Sequence, residues 1–138
     1  MHRLPLASLI LAAALAPALA EPTVVRATFI GEGTYATADG CKKLAAIAAG
    51  GDRNVETVPE TLTENGFEGW EGACTFTSFT EIEKDRKWKA LMHCFDGAEE
   101  GPESDIFERL PDGKIKVTVM GNDTILERCD AANAEKGK

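Results

Sequence analysis

The chain is poor in the groups that catalysis most often recruits. Its 138 residues include two histidines, one tyrosine and only three serines, Ser8, Ser78 and Ser104. No Cys-x-x-Cys pair occurs, and successive cysteines lie at least 20 residues apart. That removes both a dithiol redox centre and the short ligand pairs of structural zinc sites. No cofactor motif is present. Basic residues are outnumbered 15 to 23, a formal charge of −8. Such a surface repels nucleic-acid phosphates and anionic lipid heads, and suits basic or cationic partners.

The longest apolar run, Leu4 to Leu15, is too short to span a bilayer comfortably. Arg3 precedes it and Ala18-Leu19-Ala20 follows as a small-x-small cleavage site, the order of a secretory signal peptide. The expected organisation is a signal at 1–20 cleaved after Ala20, one disulfide-braced domain at 21–130, and a flexible tail at 131–138. Cleavage removes Arg3 and His2, so the net charge becomes −9 and His93 is the one histidine left. Cys41 is the first cysteine, far from the cleavage site, so no lipid or membrane anchor is expected. The expected location is the bacterial periplasm or the medium, an oxidising space.

The run from Thr23 to Ile30 is β-branched and partly alternating, as in an opening strand. Thr37 or Asp39 can cap a helix whose apolar positions Cys41, Leu44, Ala45 and Ala48 keep helical spacing, ended by Gly50-Gly51. Val55 to Val58 reads as a short strand and Asn65-Gly66 as a turn. Five strand-like runs follow, CTFTSFTEI, WKALMHCF, DIFERL, KIKVTVM and TILERC. Between them lie EKDRK, the acidic loop GAEEGPES, Pro111-Asp112-Gly113 and Gly121-Asn122-Asp123. This spacing predicts an α+β or mainly-β domain, an antiparallel meander of about five to seven strands with one N-terminal helix packed on it.

Four cysteines permit three pairings. If the first long hairpin turns at Lys84, Ile82 faces Arg86, Thr80 faces Trp88, Phe76 faces Met92 and Cys74 faces Cys94. Directly opposite residues are within disulfide range. In a simple meander Cys129 finishes at the other end of the sheet, which disfavours its pairing with Cys94. Cys74–Cys94 and Cys41–Cys129 are therefore expected, worth about 3 and about 4.5 kcal/mol in the chain-entropy account.

The same register points His93 away from Cys94 and across from Thr75, with no nucleophile or orienting acid beside it. Trp88 shares a face with Phe76 and Met92, and Phe79 falls on the other face with Leu91 and His93. The best polar constellation is Asp96, Glu99, Glu100, Glu103 and Asp105. It lacks EF-hand spacing and Pro102 stiffens it, so no metal is expected. Asp96, Glu99, Glu100 and Glu103 are instead the candidate partner-binding residues. Glu71 and Asp96 flank the central cysteines and form a weak carboxylate pair for hydrolysis.

Tyr35 before a cysteine-bearing helix, W-E-G-A-C-T-F from Trp70, C-F-D-G-A-E-E-G from Cys94 and L-E-R-C ending at Cys129 together resemble a group of small exported four-cysteine bacterial proteins of unassigned function. A fainter resemblance is to periplasmic inhibitors of lysozyme, which are also small, exported, disulfide-bonded and β-rich. The S-G-S-G-x-x-Y type loop of that family is absent here, so no binding residue carries over. The expected function is a non-catalytic binding protein presenting acidic loops to a basic protein or cationic ligand, an inhibitor of a protein such as lysozyme being one form of it. The alternatives are a small hydrolase using Glu71, Asp96 or His93, and a structural envelope component.

Overall fold

A computed structural model describes residues 25–51 and 58–129. The 1–20 segment, the tail and most of the Val55–Val58 run lie outside the described residues, and Val58 itself is not in a strand. The elements are β1 (Tyr35–Ala36), α1 (Ala38–Ala48), β2 (Thr61–Thr63), β3 (Gly66–Glu68), β4 (Ala73–Glu83), β5 (Lys87–Phe95), β6 (Glu100–Arg109), β7 (Ile115–Val119) and β8 (Asn122–Arg128). Each strand pairs antiparallel with the next, and β1 also pairs with β8 through Tyr35↔Arg128 and Ala36↔Glu127. The expected open meander of five to seven strands is thus a closed barrel of eight.

Closure changes the role of the helix. A barrel buries its own inner face, so no helix has to cover it. Leu62, Phe67, Phe76, Ala90, Met92 and Phe107 fill the interior, while α1 lies outside and buries only Gly40 and Cys41. Thr37 caps the helix, its hydroxyl accepting from the Gly40 N–H at 3.0 Å. The Cys41–Cys129 disulfide ties α1 beside β8.

The Thr23–Ile30 expectation of a strand fails over the described residues. Val25 to Ile30 is irregular and plugs one end of the barrel. The Ala27 N–H donates to the Glu64 carbonyl, and Phe29 stacks on Trp88 with ring centroids 4.2 Å apart. Arg109 donates to the Phe29 carbonyl and lies 5.7 Å from the Trp88 ring centroid. Hydrophobic alternation here serves a stopper because its residues meet an aromatic cluster instead of a strand edge.

Cys74↔Cys94, Thr75↔His93 and Phe76↔Met92 face one another as expected. Beyond Phe76, irregularities at Phe76/Ser78 and Glu81/Glu83 move the pairing, so Thr80 faces Lys89, Trp88 faces Glu81, and the hairpin turns about Asp85 with Glu83 facing Lys87, not about Lys84 with Ile82 facing Arg86. The first bulge also turns Phe79 inward, away from the face of Leu91 and His93 on which simple alternation sets it. Phe79 packs on Phe29 and Phe76 at 5.1 and 4.9 Å. Trp88 joins the core as expected. The last hairpin turns at Met120-Gly121, both at positive φ, and Asn122 and Asp123 belong to β8. A two-residue turn of that kind matches the twist of the flanking strands.

The stretch GAEEGPES is not a loop. Only its beginning turns; Glu100 to Ser104 continues β6, pairing Phe95↔Glu100, Cys94↔Gly101, His93↔Pro102 and Met92↔Glu103. Proline is tolerated because β7 joins β6 only from Ile106 onward, leaving Pro102 at a free edge. Two disulfides and no free cysteine among the described residues belong to an oxidising, extracytoplasmic compartment. No helix among them is long and apolar enough to cross a membrane.

Candidate functional site

The plug closes one end of the barrel; the other end is open. Its rim is formed by Val58 to Glu60, the turn Gly69 to Gly72, the β5–β6 connection and the end of β7. Two adjoining chambers occupy this end, an outer one of about 670 Å³ and an inner one of about 250 Å³. Glu60, Phe67, Cys74 and Glu103 line both.

The alternation of β6 places Glu103, Asp105 and Phe107 on one face, pointing inward. Phe107 is fully buried deep in the barrel. Asp105 follows one step nearer the opening, opposite Ala90 and only 6% exposed. Glu103 is one step further out, at the rim. Glu60 arrives from the other side, two residues before the fully buried Leu62. Val117 and Leu126 supply apolar wall to the inner chamber. Trp70 and Phe95, each about half exposed, flank the outer one with Glu71 and Asp96.

Five carboxylates therefore line the two chambers, and no lysine, arginine or histidine does so among the described residues. The side chains of Asp105, Glu103, Glu60 and Glu71 make no hydrogen bond or ion pair with another described residue. Burial raises the Asp105 carboxyl from 3.8 to about 6, helped by the neighbouring charges of Glu103 and Glu60. Desolvation also raises Glu60. The charges of Glu103 and Glu60 disfavour the Asp105 anion, and a cation beside it would offset them.

The four candidate partner-binding residues, Asp96, Glu99, Glu100 and Glu103, border one shallow groove beside the opening, together with Cys94, Gly101 and Pro102. Glu103 enters the barrel opening. Asp96 lines the outer chamber, and its Oδ1 accepts from the Ala98 and Glu99 N–H groups at 3.2 and 2.8 Å, which holds its pKa below the ordinary value. Glu99 and Glu100 line that groove and neither chamber, whereas Cys94, Asp96 and Glu103 are shared by the groove and the outer chamber. Glu100 Oε1 is 2.6 Å from His93 Nε2 on the outer wall. His93 lines neither chamber and pairs with Glu100, not with Glu71 or Asp96. Cys74, Cys94 and Glu103 offer ligand atoms within 4.8 Å of one another, but both sulfurs are spent in the disulfide, Sγ–Sγ 2.08 Å.

Sequence reasoning set Asp105 only at the end of the acidic stretch and passed over Glu60. The available signal was the two-residue step Glu103-x-Asp105-x-Phe107, which ties both acids to the face of a core aromatic. Reading GAEEGPES as loop concealed it. Comparison with protein families, with curated proteins and with solved structures found no match to this chain.

Proposed function

We propose that this is a non-catalytic binding protein of the periplasm or the extracellular medium, which receives a cationic group in the open end of its barrel. The observation that carries this reading is the lining of the two chambers, five carboxylates with no basic residue. The floor supports it: Asp105 is largely buried with its carboxyl raised to about 6 and no described residue neutralising it, so a cation would favour its ionised form. Complementary charge would speed encounter and orient the partner, while Trp70, Phe95 and Phe67 would supply apolar contact.

The test is a titration with cationic probes, lysozyme and an oligolysine peptide as basic polymers and simple organic amines as small ones, read by calorimetry and by tryptophan fluorescence in a Trp88→Phe background, where Trp70 is the one emitter. Binding should weaken with salt and fall in the double variant Glu60→Gln, Glu103→Gln. Absence of binding by every probe would refute the proposal.

A further inference from the structure

We infer that the barrel end takes a linear aliphatic diamine or polyamine, one ammonium seated on Asp105 in the inner chamber and the next held by the carboxylates of the rim. This deepens the cationic-group reading and rests on it.

Three features of the opening select that class. First, the negative groups are spread out. Among the described residues, no three carboxylate oxygens from different residues lie within 4.8 Å of one another, whereas a calcium ion needs six to eight oxygens gathered at about 2.3–2.6 Å. Charge distributed along a path matches a ligand whose own charges are separated.

Second, the path has depth and changes character along it. Asp105, only 6% exposed and without a partner among the described residues, faces the inner chamber. Glu60 and Glu103 border both chambers, and Glu71 and Asp96 stand beyond them. The walls between are apolar, Phe67, Val117 and Leu126 inside and Trp70 and Phe95 outside. Methylene segments bury favourably against such walls, while each ammonium can donate to a carboxylate.

Third, the inner chamber is small. Its 250 Å³ admits an unbranched chain end and one ammonium; a folded domain reaches the rim alone. A lysine side chain of a basic protein brings one ammonium and an apolar stem, but leaves the second charge of the path unmatched. A free diamine satisfies both.

Calorimetry on the oxidised protein decides the matter, with putrescine, cadaverine and spermidine as ligands and n-butylamine, calcium chloride and the oligolysine peptide as comparisons. The diamines should bind at least about tenfold more tightly than n-butylamine, and Asp105→Asn should lower diamine affinity by at least about tenfold while removing that preference. Should Asp105→Asn fail to fold, Glu103→Gln at the exposed rim should still weaken the diamines more than n-butylamine. Equal affinity for mono- and diamines, diamine binding indifferent to both variants, or calcium binding in place of the amines would each overturn the inference. If oligolysine binds through these carboxylates and no free amine does, the polyamine assignment falls and the cationic-group reading stands. If no cation binds, both fall.

Discussion

Replacing Asp105 with asparagine should make the protein more stable relative to wild type as pH rises. The carboxyl is raised from 3.8 to about 6 because it is desolvated and faces Glu103 and Glu60. An acid with a raised folded-state pKa favours the fold when protonated. Its contribution is therefore full below the unfolded value and is lost as pH rises through about 6. A displacement from 3.8 to about 6 corresponds to about 3 kcal/mol in all. Integrated over the titration, about 2 kcal/mol of this falls between about pH 4.5 and about pH 7.5. The substituted amide cannot ionise, so its fixed cost, including amide protons without acceptors, is the same throughout that range. The stability difference between variant and wild type should therefore move by about 2 kcal/mol in the variant's favour, roughly 8 °C in Tm for a domain of this size. Urea unfolding at several pH values measures it, and differencing the two proteins cancels the carboxylates that do not interact with Asp105. Parallel stability curves would show that Asp105 is ordinarily solvated, and would remove the argument that a cation is needed there.

The two disulfides should be unequal. Loops of 88 and 20 residues imply losses of about 4.5 kcal/mol for Cys41→Ser with Cys129→Ser and about 3 kcal/mol for Cys74→Ser with Cys94→Ser; the reverse order in chemical denaturation would refute the entropic account. Phe29→Ala should cost about 3–5 kcal/mol, since its ring packs on Phe79, Trp88 and Phe107 at the plugged end. It should leave cation binding at the opposite end intact once the protein is folded, so lost binding in the folded variant would show the two ends to be coupled.

Much of the local structure could be read from residue order. Thr37 before Cys41, Leu44 and Ala45 marked the helix, and β-branched and aromatic alternation marked β4, β5, β7 and β8. The disulfide pairing followed from placing Cys74 opposite Cys94. What escaped were features that local chemistry opposes. Gly101 and Pro102 disfavour a strand, yet β6 runs through them because pairing with β5 outweighs propensity on a free edge. Phe79 faces inward only because a bulge adds a residue beyond Phe76, which alternation alone does not announce. Asp105 resembled one more solvated acid until the wall beside it was known.

Sequence by itself determined the charge balance, the scarcity of catalytic groups, the helix and the antiparallel hairpins, because each depends on composition or on residues close in sequence. Tertiary structure alone decided that β1 meets β8. That single closure turns the alternate side chains of every strand toward one interior. It frees the helix from covering the sheet, recruits Phe29 as a stopper, and gathers Glu60 and Asp105, 45 positions apart, around one opening. Burial there is a property of the whole barrel, and burial is what separates Asp105 from the other acids of the chain.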